Sequence, residues 1–220
     1  MNIFNIIGPR MIGPSSSHTA GAVRIGNVAH KIMQGAKPIE VKFELAGSFK
    51  ATYKGHGTDK ALIAGLLGYE TDDAEIRDIF EIADKEGLKY EFVGIDLENA
   101  HPNTAIIHFL CENGQQGCVR GASIGGGNIR IESINGMNFP MTTDNPTILV
   151  VHNDRPGVIA RVTSLLSDRY SDANICNITL ERDKKGGIAI MKVELDEPTS
   201  KYIEYEIGAL DDVLNVVVIE

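Results

Sequence analysis

The chain has 220 residues, 43% of them hydrophobic and 23% charged, a composition that supports one large or two modest globular cores and not a disordered segment. Its net charge of −9 is spread along the length with no dense Lys/Arg cluster, which argues against nucleic acid as a partner. No apolar run reaches the roughly 18 residues of a membrane-spanning helix, and the start MNIFNIIGPR lacks the marks of a secretory signal, so a cytoplasmic protein is expected.

In chain order, a Ser/His-rich stretch, GPSSSHT at 13–19, leads into a helix. Ile25, Val28, Ala29, Ile32 and Met33 recur on one helical face, and Gly35 and Pro38 end it. Ile39, Val41, Phe43 and Leu45 alternate with charged residues, the period of a half-buried strand. The glycine-rich GSFKATYKGHGTDKA reads as a turn region, with Thr58 or Asp59 capping a helix to about Leu67. Asp72 or Asp73 caps another, with Ile76, Ile79, Phe80 and Ala83 inward and Gly87 at its end. Residues 89–97, 104–111, 117–124 and 128–134 read as strands. Helices first and strands later predict an α+β fold for a first domain over 1–146.

MTTDNP at 141–146 reads as a linker. Beyond it the order is strand 147–153, helix 156–170, strands 175–182 and 188–195, helix 199–209 and strand 214–219. That is the ferredoxin-like βαββαβ arrangement, and it predicts a second domain over 147–220.

Three cysteines, Cys111, Cys118 and Cys176, are too few for a disulfide framework and match no zinc or iron–sulfur spacing. Buried reduced thiols are the ordinary reading, although Cys111 and Cys118 flank a predicted hairpin and could pair. No metal ligand set is expected in this chain.

His30, His108 and His152 have structural settings on a helix or a strand. His18, His56 and His101 fall instead in small polar stretches, SSSHT, YKGHGTD and AHPNT, where an imidazole can carry protons near neutral pH. The first stretch brings Ser15, Ser16, Ser17 and Thr19 to a helix N-terminus, which suits either a polar cap or a small anion. Ser123, Gly125, Gly126 and Gly127 break two strands, a sign of close backbone approach to a ligand or of a bulged turn. Asn153-Asp154-Arg155-Pro156-Gly157 joins a strand to its helix.

IIGPRMIGPSSSHTAGAVRIG, GSFKATYKGHGTDKAL, HPNT and SIGGGNI together resemble the iron–sulfur-dependent L-serine dehydratases, in particular the beta chain of their two-chain bacterial form, over essentially the whole chain. VVHNDRPGVIARV with the βαββαβ order resembles an ACT domain. The resemblance implies deamination of L-serine to pyruvate and ammonia, with a [4Fe–4S] cluster held by cysteines of a separate alpha chain. It also implies substrate binding by Ser15, Ser16, Ser17, Thr19, Thr58, Asn103, Thr104, Ser123 and Gly125–Gly127. Acid/base or positioning roles fall to His18, His56, His101 and Lys54, with His56 slightly preferred as the base. In the ACT-like part, Asn153, Asp154, Arg155, Gly157 and Val158 would serve an effector or a side-by-side homodimer. Two competing readings are a regulatory subunit without catalytic residues and a pyridoxal-phosphate lyase using Lys54 or Lys60, the latter with no support in the sequence.

Overall fold

The computed structural model describes residues 10–142, 145–200 and 202–219. The part of the first motif before Arg10, and residues 143–144 of the expected linker, lie outside the described residues. The chain divides into two compact units, Met1–Thr142 and Thr143–Glu220. Both mix helices with a sheet, and the fold is α+β.

In the first unit a π-helical turn, Ser16–Ala20, runs straight into α1, Gly21–Met33. The periodic residues Ile25, Val28, Ala29, Ile32 and Met33 are all buried. Then follow β1 (Pro38–Ala46), α2 (Gly47–His56) and α3 (Thr58–Leu66). A 3-10 turn, Ala74–Asp78, leads into α4 (Ile79–Glu86), which ends on left-handed Gly87. The strands are β2 (Lys89–Ile95), β3 (Thr104–Cys111), β4 (Gln116–Gly125), β5 (Asn128–Ile134) and β6 (Met137–Thr142).

The sheet order is β2-β1-β3-β4-β5-β6. β1 and β2 are parallel and need the α2–α4 crossover between them, whereas β3 to β6 form an antiparallel meander. The register sets Phe43 beside Ile107, Ile107 beside Val119 and Val119 beside Ile134, one buried row across four strands. The opposite face is charged: Lys42 pairs with Glu44 at 2.7 Å and Arg120 with Glu132 at 2.7 Å. Only one face is therefore apolar, and helices cover it. α1 sits over β4, where a Cβ on Gly121 would lie 3.3 Å from the Ile25 side chain.

α3 packs against α1 backbone to backbone. A Cβ on Gly65 would stand 1.9 Å from the Val23 carbonyl oxygen, and one on Gly26 2.6 Å from that of Leu62. Such proximity is open only to glycine.

Several sequence expectations are corrected. The glycine-rich stretch after β1 is not a turn region but helix α2, closed by left-handed Gly57. Its amphipathic signal is weak because Phe49 is its single buried residue. Neither Thr58 nor Asp59 caps α3, whose N-cap is Gly57, and the Asp73 side chain binds the Glu70 amide, not the turn it precedes. Met141 and Thr142 belong to β6, a strand the sequence reading missed. Cys111 and Cys118 are free thiols. The register puts Cys118 beside His108 on the charged face, while Cys111 is buried.

The second unit contains β7 (Thr147–Asn153), α5 (Val158–Arg169), β8 (Ile175–Arg182), β9 (Ile188–Leu195), α6 (Tyr202–Gly208) and β10 (Val213–Ile219). The order β10-β7-β9-β8 is antiparallel throughout. Ile148, Val150, Met191 and Val193 on the sheet meet Val162, Leu166, Ile203 and Ile207 on the helices to form the core. Among the described residues no helix is long and apolar enough to cross a membrane.

Candidate functional site

The GPSSSHT stretch is a cap followed by a π turn. Ser15 is extended, and its Oγ accepts from the His18 amide at 3.1 Å. Thr19 accordingly faces inward, 2% exposed, and its hydroxyl donates to the His56 carbonyl at 3.4 Å. Single π turns recur at functional sites because the added residue redirects side chains. Here the redirected side chain is His18.

His18 lies between two elements. Its Nδ1 is 3.5 Å from Ser15 Oγ, and its Nε2 is 3.0 Å from Ser48 Oγ at the start of α2. The ring stands edge-on to His56, with centroids 4.8 Å apart, and to Phe49 at 5.2 Å. Burial, and then the charge of His56, hold its pKa below the usual histidine value.

His56 closes α2, so it is not the loop residue the sequence suggested. Its Nδ1 is buried without a partner, and among the described residues neither ring nitrogen makes a hydrogen bond. The left-handed Gly57 then reverses the chain into α3. Thr58 is fully buried, and its Oγ1 has no partner among the described residues. Asp59 is 9% exposed; burial raises its carboxyl pKa, opposed by the Lys60 amide that donates to it at 2.8 Å.

The HPNT stretch is fastened to this region through backbone. The Pro102 carbonyl accepts from the Phe49 amide at 3.3 Å and lies where a Cβ on Gly47 would be, at 2.6 Å. His101 Nδ1 accepts from the Asn103 amide at 3.2 Å, which leaves its ring proton on Nε2. Thr104 Oγ1 donates to the His101 carbonyl at 2.7 Å. Asn103 and Ser123 exchange two contacts, Ser123 N–H to Asn103 O at 3.0 Å and Asn103 Nδ2 to Ser123 O at 3.4 Å. Ser123 Oγ is buried against Gly21 of α1 and has no partner among the described residues.

Ser15, His18, Thr19 and His56 are thus brought together, and Asn103, Thr104 and Ser123 are joined to them through Pro102 and Gly21. Ser16 and Ser17 are half-buried on the π turn. His101 has no described contact with either of the other two imidazoles. Lys54 is exposed, its ammonium 5.7 Å from the Tyr53 ring, and the structure does not bring it to the histidine pair. Gly125, Gly126 and Gly127 all have positive φ, so a tight turn from β4 to β5 accounts for them; Arg24 holds the Gly127 carbonyl at 2.8 Å. Sequence reading missed Ser48, Phe49 and Asp59. All three stand in the motif it quoted, and Ser48 faces His18 because α2 starts at Gly47.

Among the described residues no three His, Cys, Asp or Glu side chains converge as a metal site. Burial, and then a nearby glutamate, push the Cys111 and Cys118 thiols up. Among the described residues the donor set does not fit an iron–sulfur cluster.

In the second unit the Asn153–Val158 connection is tied to the chain around Gly186 and around Asp212. Asn153 N–H and Nδ2 donate to the Asp212 carbonyl and carboxylate at 2.9 and 3.3 Å. The Asp154 carboxylate accepts from the Gly186 amide and from Arg182, which together hold its pKa low. Gly157 has φ 90° at the start of α5, Val158 is in the core, and Arg155 is exposed. Sequence reading passed over His152, which is 2% exposed with an unpartnered Nε2 beside these residues.

Residues 1–93 match the family described as serine dehydratase beta chain, and residues 148–215 the AHAS small subunit-like ACT domain. The probable L-serine dehydratase beta chain of Bacillus subtilis (strain 168) is 43% identical over 215 residues, 98% of this chain and 96% of that one. The L-serine dehydratase beta chain of Peptoniphilus asaccharolyticus is 43% identical over 202 residues, 91% of this chain and 90% of that one. A longer relative, the L-serine dehydratase of Streptomyces coelicolor, is 43% identical over 61 residues, 26% of this chain and 13% of its own length.

Proposed function

This chain belongs to the family of L-serine dehydratase beta chains, and from that premise we propose that it is the substrate-handling half of a cytoplasmic L-serine ammonia-lyase that works with an alpha chain. The observation that carries this reading is the edge-on His18–His56 pair, with unpartnered hydroxyls on Thr58 and Ser123 in the same cluster of elements. Buried polar atoms without partners carry a cost that a bound polar ligand relieves.

The reaction removes the α-proton and the β-hydroxyl of L-serine. The resulting enamine becomes an imine, which water hydrolyses to pyruvate and ammonia. Among the described residues neither ring nitrogen of His56 is engaged, so it takes the α-proton. His18 has each nitrogen near a serine hydroxyl, so it orients the site and stays neutral beside His56. Ser15, Ser16 and Ser17 hold the carboxylate at the start of the π turn, with Thr58 and Ser123 as further donors, while Thr19, called with them from the sequence, ties the turn to α2 through the His56 carbonyl. Asn103 and Thr104 hold the HPNT stretch in place. Hydroxide leaves poorly without a Lewis acid, which a [4Fe–4S] cluster held by the alpha chain would supply.

The ACT unit binds an effector through Asn153, Asp154, Arg155, Gly157 and Val158 and pairs two copies side by side. β8 is an edge strand with Ile178 and Leu180 exposed, which supports pairing there.

Anaerobic co-expression with a cysteine-rich alpha chain tests the reading. Pyruvate should form from L-serine only when both chains are present. Full turnover by the alpha chain alone would reassign this chain to regulation. Ser123→Ala separates binding from folding: loss of an unpartnered buried hydroxyl should leave stability unchanged or raise it by about 1 kcal/mol in thermal unfolding. The KM for L-serine should rise several-fold in the same variant.

A further inference from the structure

We propose that Ser48 is a positioning residue for the histidine pair, fixing the His18 imidazole edge-on to His56 through His18 Nε2. Of the two hydroxyls that reach His18, Ser48 Oγ at 3.0 Å is within normal hydrogen-bond range and Ser15 Oγ at 3.5 Å is at its limit. Ser15 Oγ is also already engaged by the His18 amide. Ser48 Oγ has no other partner among the described residues, so its single contact is with this ring.

The placement of Ser48 is determined from behind. Gly47 adopts φ +54° with the Pro102 backbone pressed against the side where a Cβ would be, and the Pro102 carbonyl accepts from the Phe49 amide. The Ser48 carbonyl accepts from Thr52 Oγ1 at 2.8 Å, tying the first turn of α2 to the next. The hydroxyl is therefore presented by a turn locked on both sides. The His18 main chain is capped by Ser15 Oγ and its ring lies edge-on to Phe49, so Ser48 supplies the close hydrogen bond that sets the ring's rotation.

α2, α3 and β4 all pack on the π turn, and His56 of α2 is the titratable group whose charge acts on His18. A freed ring would swing toward solvent, relieving both burial and that repulsion. Its pKa would then climb toward the ordinary histidine value, and protonated His18 would appear at a higher pH.

The proposal rests on the dehydratase reading only for its activity arm. In the full chain, titration of the His18 ring protons by NMR, assigned with His18→Asn, should show a midpoint higher by about half a pH unit or more in Ser48→Ala. Ser48→Thr, which keeps the hydroxyl, should restore the wild-type curve. With the alpha chain present, Ser48→Ala should lower kcat about tenfold near neutral pH, with KM changed less than about twofold and the acid limb of the rate moved to higher pH. Superimposable His18 titrations in wild type, Ser48→Ala and Ser48→Thr would overturn the proposal. A shifted titration alongside a wild-type pair that turns over no serine would refute the dehydratase reading and still support the positioning role.

Discussion

Replacing His56 with alanine should lower the kcat for pyruvate formation about a thousandfold in the presence of the alpha chain, the scale of a lost general base. The reasoning rests on which imidazole has a lone pair to offer. His18 is flanked by Ser15 and Ser48, so a proton arriving there displaces an existing contact. His56 has no hydrogen bond to either ring nitrogen among the described residues, and its Nδ1 is buried. The distinguishing measurement is exchange of the α-hydrogen of L-serine with solvent deuterium, which reports proton removal separately from loss of hydroxide. His56→Ala should abolish that exchange while cluster absorbance of the two-chain enzyme stays unchanged. His18→Ala should slow turnover less, because it removes an orienting group. Equal losses in the two variants, with exchange intact in His56→Ala, would transfer the base to another residue.

The parts of the fold that sequence revealed are those with a clear period. α1 has five apolar residues at helical spacing, and all are buried against the sheet or α3. The strands and helices of the second unit follow their predicted order within a few residues because all but the exposed edge strand β8 have an apolar face against one core. α2 was hidden for the opposite reason. It carries glycines at 47 and 55, ends on Gly57 and buries only Phe49, so neither composition nor period marks it as a helix. β6 was hidden by Pro140 and by its shortness, since proline reads as a strand breaker except at an edge, which is where β6 lies. The site was half legible. His18 and His56 stood out by type and polar surroundings, but their pairing depends on the π turn and the α2–α3 reversal, long-range geometry that local pattern does not encode. Lys54 illustrates the limit: two residues from His56 in sequence, it lies exposed beside Tyr53.

Gly65→Ala tests whether the site depends on how closely α1 and α3 approach. The added methyl would meet the Val23 carbonyl oxygen at 1.9 Å and the Asn27 amide nitrogen at 2.9 Å, both main-chain atoms that cannot rotate aside. The helices must separate, and with them the buried side chains of Ile25, Leu62 and Leu66 that close the core between them. Overpacking of this kind costs about 3 kcal/mol, the upper part of the usual range because backbone is displaced. For a unit of this size the midpoint of thermal unfolding should fall by about 10 °C. Gly55→Ala is the matched control. It lies within α2 with no atom within 4 Å of the new Cβ, so the same substitution should stabilise slightly through helix propensity. The two helices also anchor the chemistry, since α1 continues the π turn that carries His18 and α3 begins at Thr58 immediately after His56. Gly65→Ala should therefore lose turnover even well below its unfolding temperature, whereas Gly55→Ala keeps it. A Gly65→Ala protein that melts and turns over like wild type would mean that the helices can part without disturbing the pair, and that the π turn and the Ser48 contact hold His18 against His56 by themselves.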